Sequence, residues 1–129
     1  MQYILLGAVL TTFMASAHAG EADLIGTYAA RDKTGLREVV KIEREGDAYV
    51  LFDKARDGSW RKAKQPLVPV TKEQFGKMLK APADVPFDGL GNKGMAVFKV
   101  PQGWGQGKFK TDSGYFMVFA LGPIELQKQ

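Results

Sequence analysis

Leu36-Arg37-Glu38-Val39-Val40-Lys41-Ile42-Glu43-Arg44-Glu45-Gly46-Asp47-Ala48-Tyr49-Val50-Leu51-Phe52 reads as two strands folded on a turn. In the first arm Val40 and Ile42 alternate with Lys41 and Glu43, the period-2 pattern of a strand with one face buried and one in water. Arg44-Glu45-Gly46-Asp47 breaks the run with turn residues, and Ala48 to Phe52 returns as a β-branched and aromatic second arm. An antiparallel hairpin of this kind needs further strands to bury its apolar face.

Outward from the hairpin, the pattern repeats. Leu24 to Ala30 is an earlier strand, joined through the turn Asp32-Lys33-Thr34-Gly35. Downstream, Asp57-Gly58 is a two-residue hairpin signal, since both residues tolerate positive φ. Ser59 to Lys64 runs back from it. Pro66 and Pro69 bracket Leu67 and Val68, so a strand there belongs at an edge, where a missing N–H is harmless.

One helix interrupts the strands. Thr71-Lys72-Glu73-Gln74 matches a capping box, and Phe75, Met78 and Leu79 follow at i, i+3, i+4 on one face. The segment ends by Pro82. A helix of about ten residues is unstable alone, so its apolar stripe must lie on the sheet or over a barrel mouth. Ala81 to Gly94 reads as a loop, Met95 to Val100 as a strand, Pro101 to Gly107 as a Gly-rich loop and Lys108 to Thr111 as a short strand. Gly114 to Leu121 is the most apolar strand. Gly122-Pro123 then turns into Ile124 to Lys128. About seven or eight short strands at this spacing predict a mainly β domain: a small antiparallel β-barrel meander, or a sandwich, with one short α-helix. Barrel closure is the first choice because it removes exposed edges.

The chain before this domain has a different character. Residues Tyr3 to Ala17 are uncharged, with an apolar run at Ile4 to Leu10, and Ala17-His18-Ala19 fits small-x-small cleavage. The expectation is a signal peptide over residues 1–19 and a single β-rich domain over 20–129, periplasmic or secreted. The n-region Met1-Gln2-Tyr3 departs from the pattern in holding no Lys or Arg. The apolar run, at about fifteen residues, falls short of the roughly twenty that span a bilayer, so no transmembrane span is expected. Removing nineteen residues from 129 leaves 110, one domain by length and large enough to fold on its core without disulfides. The net charge of +4 falls entirely on the domain and favours anionic surfaces; it is too small to argue nucleic acid.

The sole His, His18, lies in the leader, and the chain has no Cys. The exported domain thus lacks the usual general base, thiol nucleophile and soft metal ligands. Ser59 and Ser113 are its only serines, and neither sits in a nucleophile-elbow or Ser-x-x-Lys setting. The acids Asp53, Asp57, Asp84, Asp88 and Asp112 fall at scattered turns, and no two stand out as a catalytic pair. The expectation is a non-enzymatic protein with no cofactor and no metal site.

Two segments offer binding chemistry. Lys54 to Lys64 carries five basic residues and one acid around an indole. Arg56, Arg61 and Lys62 suit phosphate or carboxylate groups, and Trp60 suits an apolar or sugar face. The alternative is a solvated hairpin whose lysines discourage edge pairing. Gly103-Trp104-Gly105-Gln106-Gly107-Lys108 lacks Walker spacing and a following helix, so a nucleotide cradle is rejected. It either presents Trp104, with Lys108 beside it, as an anchor for a partner, or folds Trp104 back as a plug. Tyr115 to Leu121 is apolar on both faces. Tyr115, Met117, Phe119 and Leu121 fill a core, while Phe116, Val118 and Ala120 need cover from the helix, the preferred choice, or from a second subunit. Monomer and homodimer both stay open.

Gly26-Thr27-Tyr28 on a first strand resembles the Gly-x-Trp entry of lipocalin-like barrels, with Tyr in place of Trp. Thr111-Asp112, shortly before Tyr115, is similar to their later Thr-Asp-Tyr motif with two residues inserted. The length is closer to small bacterial barrels that inhibit proteases or lysozymes. The resemblance implies a barrel and assigns no ligand residues. Two functions follow as expectations. The first is a non-enzymatic binding protein acting on another macromolecule of the cell envelope: an inhibitor, immunity-type or accessory factor whose partner is an envelope or extracellular protein or an anionic envelope component. The alternative is a small-molecule or lipid carrier with an apolar cavity built from residues such as Tyr28, Tyr49, Phe52, Phe98, Phe116 and Phe119.

Overall fold

A computed structural model describes residues 20–80, 85–120 and 122–129. The predicted leader, the helix stop at Pro82, Asp84 and Leu121 lie outside the described residues. After a helical turn at residues 20–22, the chain forms β1 (Gly26–Asp32), β2 (Gly35–Glu45), β3 (Ala48–Lys54), β4 (Trp60–Lys62), β5 (Val68–Pro69), helix α1 (Lys72–Leu79), β6 (Asp88–Gly91), β7 (Ala96–Lys99), β8 (Trp104–Gln106), β9 (Phe109–Thr111), β10 (Tyr115–Phe119) and β11 (Gly122–Lys128). The fold is mainly β, as the pattern predicts. Nine strands make one curled antiparallel sheet in the order β4-β3-β2-β1-β11-β10-β7-β6-β5, and β8-β9 is a separate small hairpin.

The curl is a half-barrel rather than a closed cylinder. Its edge strands, β4 and β5, are joined by one stretch of chain. Ala63 N–H donates to the Leu51 carbonyl at 2.8 Å, and Leu67 N–H donates to that of Tyr49 at 2.8 Å, before Val68 and Pro69 pair with Gly91 and Leu90 of β6. The sheet therefore closes beside Tyr49 and gapes at the other end of β3. There the Asn92 side-chain amide, donating to the Gln65 carbonyl at 3.2 Å, links the two lips. Pro66 and Pro69 fall in this closing segment, at the edge where proline is tolerated.

Inside the curl Leu24, Tyr28, Val40, Ile42, Leu51, Leu67, Leu90, Val97, Met117 and Leu126 form the main core. The Tyr28 hydroxyl donates to the Leu24 carbonyl at 2.7 Å, and burial pushes its phenol pKa far up. A β-bulge interrupts β2: Tyr28 opposes Val40 and Ala29 opposes Glu38, leaving Val39 as the extra residue.

The opposite face of β7 and β10 carries Ala96, Phe98, Val100 and Phe116, and a second cluster covers it. Phe75 of α1, fully buried, meets Phe98 edge-on at 5.2 Å and stacks on Phe87 at 4.3 Å. Trp104 and Phe109 of the β8-β9 hairpin lie 5.7 and 5.1 Å from Phe116. The helix thus takes the preferred place on the sheet but shares the cover with the hairpin. The capping box forms as read: Gln74 N–H donates to Thr71 Oγ1 at 3.1 Å, and Thr71 N–H to Gln74 Oε1 at 2.9 Å. Such a cap stabilises by about 1 kcal/mol. Lys80, in the left-handed region at φ 51°, ends the helix after eight residues. Met78 departs from the expected stripe and is 43% exposed.

Other expectations need correction. The stretch read as a loop over 81–94 contains β6, because Gly89 and Gly91 are packing residues rather than breakers. A Cβ on Gly89 would sit 2.7 Å from the Phe98 ring. The Gly-rich segment at 101–107 likewise holds β8, so Trp104 stands in a strand. Gly122 and Pro123 pair with Phe119 and Val118 inside β11 instead of forming a turn. Only Gly58 of the Asp57-Gly58 pair takes positive φ, at 86°, and the β3-β4 connection runs longer than two residues.

Candidate binding site

The local hairpin β3-β4 brings Trp60, Arg61, Lys62 and Arg56 together, but their side chains divide between two faces. Trp60 pairs with Lys54 and points outward, half-buried. The Lys54 ammonium lies 4.3 Å from its ring centroid and the Lys41 ammonium 4.9 Å; Lys41 also sits 4.8 Å over Phe52. This strip of two rings and two cations on the convex face gains about 0.5–1 kcal/mol per contact. Lys62 forms an ion pair with Glu45. Arg61 turns toward the gape, where Nε and Nη2 reach the two oxygens of Asp53 at 3.1 and 3.3 Å. That carboxylate raises the Arg61 pKa through the hydrogen bond and its charge. Both partners are largely exposed, so the fork sets geometry more than stability. Arg56 is exposed in the turn.

Trp104 and Lys108 lie elsewhere, on the β8-β9 hairpin. Trp104 folds back, parallel to Phe116 within 11° and 5.9 Å from Phe75, while Lys108 is exposed in the turn. The two tryptophan segments thus belong to different hairpins packed on different parts of the sheet.

The scattered acids are engaged locally. Asp57 Oδ1 accepts from Ser59 Oγ at 2.6 Å and Ser59 N–H at 2.9 Å, and these bonds, the hydroxyl first, lower its pKa. Asp32 is held in the same way by Thr34. Asp112 pairs with Lys110 at 3.4 Å. Asp88 differs: burial raises its pKa, opposed by Lys99 and reinforced by Asp23. Thr111, fully buried, donates to the Tyr115 carbonyl at 2.8 Å and accepts from Gly114 N–H at 3.1 Å, so the Thr-Asp element is a structural corner. Among the described residues no three His, Cys, Asp or Glu side chains are grouped to hold a metal ion, and no helix is long and apolar enough to cross a membrane.

An apolar cleft involves Phe119 from the residues read for a carrier cavity, whereas Tyr28, Phe98 and Phe116 of that set are buried in the two cores. The cleft fills the gape of the half-barrel, with a volume of about 600 Å³. Val39 and Val40 of β2, Leu51 of β3, Met95 and Met117 and Phe119 of β10 make it predominantly apolar. Asp53, Lys64, Gln65 and Asn92 supply its polar edge. A cavity of this size, apolar with a few convergent polar groups, has the dimensions of a small-molecule site, typically ~300–1,000 Å³. Met95 and Met117 add adaptable walls, since unbranched thioethers repack easily. Apart from Phe119, only the period-2 apolar pattern of each strand hinted at these residues. No protein-family model, no curated protein and no solved structure matches the chain.

Proposed function

We propose that the chain is an exported, non-enzymatic binding protein that takes an apolar group of a small molecule or lipid into the mouth of its half-barrel. One observation carries this reading: the apolar cleft of about 600 Å³ at the open end of the sheet. The export part rests on the uncharged leader ending in Ala17-His18-Ala19, and the non-enzymatic part on a domain without His or Cys. Mass spectrometry under native conditions, before and after solvent extraction, tests it. A mass increment removed by solvent supports the carrier; an unliganded mass that persists after incubation with a lipid extract counts against it.

A second reading is supported by the convex face. Trp60, held between the Lys41 and Lys54 ammonium groups with Lys62 on the same face, suits contact with a protein or anionic component of the envelope, as an inhibitor, immunity-type or accessory factor would make. Stoichiometric recovery of one envelope protein on immobilised wild type, lost with Trp60→Ala, favours this reading over the first.

A further inference from the structure

The mouth does not end at its apolar walls. A second cleft, of about 630 Å³, adjoins it and shares Val39 and Asp53 with it. It is richer in charged side chains: Arg37, Glu38, Lys54 and Arg56 line it beside Val39 and Ala55. We infer that the two clefts form one amphipathic site for a single-chain organic anion, with the hydrocarbon in the mouth and a carboxylate head between Arg37 and Arg56. This assignment rests on the reading of the mouth as a site for apolar groups and adds the chemistry of the head.

Charge accounting across both clefts gives the sign. Asp53 is neutralised by the two-point contact with Arg61. The Lys54 ammonium is committed to the Gly58 carbonyl at 3.0 Å and to the Trp60 ring. Arg37 contacts Asp32 at 3.4 Å with its side chain 73% exposed, a weak partnership that leaves most of its donors in water. Among the described residues Arg56 and Lys64 have no ion-pair partner, and Glu38 is the one lining acid of either cleft without one. The surplus is positive. A guanidinium offers a planar fork that fits a carboxylate through two parallel hydrogen bonds. The bulge makes the junction: by adding Val39, it lines the mouth with two successive valines while Glu38 lines the charged cleft.

The test compares dodecanoate, dodecanol and dodecyltrimethylammonium on the purified full chain, below their micellar concentrations, by calorimetric titration at low ionic strength. Dodecanoate is expected to bind at least tenfold tighter than the alcohol. Shortening it to decanoate and octanoate weakens binding about fourfold per methylene if the chain is buried. Added salt erodes the preference for the acid, as an exposed ionic contact requires. Arg56→Ala brings dodecanoate down toward the alcohol, and Glu38→Gln tightens it. Both residues are exposed, so the variants keep the fold, which unchanged thermal midpoints verify. Equal binding of the three heads, or a preference for the cation, overturns the anion assignment and leaves the mouth reading standing. A preference for the acid that survives Arg37→Ala combined with Arg56→Ala overturns the placement of the head. If no compound binds, or if dodecanoate binds Ala63→Trp, whose mouth is filled, as tightly as wild type, both readings fall together.

Discussion

The two faces of β10 are treated in opposite ways. On its convex side Phe116 is sealed by Trp104 and Phe109, and neighbouring Phe98 by Phe75. On its concave side Met117 is buried, but Phe119, two residues on, reaches the open mouth with Met95 and Ala63. Among the described residues a helix and a hairpin cover the first face, and none covers the end of the second. Among the described residues the same sheet thus carries one covered apolar face and one open apolar rim, the contrast on which the proposed binding role rests.

That contrast can be broken by mutation. The largest expected effect is at the sealed face: Phe75→Ala removes the central ring of a fully buried cluster and should destabilise by about 3–5 kcal/mol in urea denaturation. A matching loss from Met95→Ala at the mouth would erase the distinction. That substitution should cost under about 1 kcal/mol, since its partly buried side chain at the rim has less contact to lose, while weakening binding of any apolar ligand. Between these extremes lies Thr71→Ala, which leaves Gln74 N–H uncapped and loosens the helical cover by about 1 kcal/mol, read as a lower thermal midpoint.

The smallest effects are electrostatic and sharpen the comparison through pH. Asp88, opposite Lys99 on β7, has its folded pKa raised by burial. Its ionisation is thus harder in the folded chain. The penalty is absent below the usual carboxylate range and grows as pH rises through the unfolded and then the folded pKa. Asp88→Asn should gain stability relative to wild type at neutral pH and show no such gain near about pH 3. Asp57, in the turn near the mouth, has the opposite sign. Its lowered pKa supports the β3-β4 turn above the ordinary carboxylate range, and that support vanishes as pH falls through the folded value. In Asp57→Ala the acid limb of the stability curve should be flatter by this contribution.

Legibility in the sequence followed contact range. The β2-β3 hairpin and the capping box at Thr71 and Gln74 are local, and both appear where alternation and spacing put them. The residues Arg56, Trp60, Arg61 and Lys62 were read together because one turn holds them together. Gly89 and Gly91 misled because a glycine that breaks a strand and one that admits a Phe98 ring look alike until the neighbour is known. Trp104 had two readings for the same reason: its stacking partner, Phe116, is twelve residues away on another strand. The mouth was the least legible. Val39, Ala63, Met95 and Phe119 come from four separated segments, and only the sheet order and the gape between its edges bring them to one rim.

The bulge at Val39 has a consequence at the level of the gene. Removing one codon there would restore strict alternation along β2 and take one valine from the wall, while Glu38 keeps its place opposite Ala29. That one codon thus widens the apolar rim by a valine without altering the register of β2 against β1.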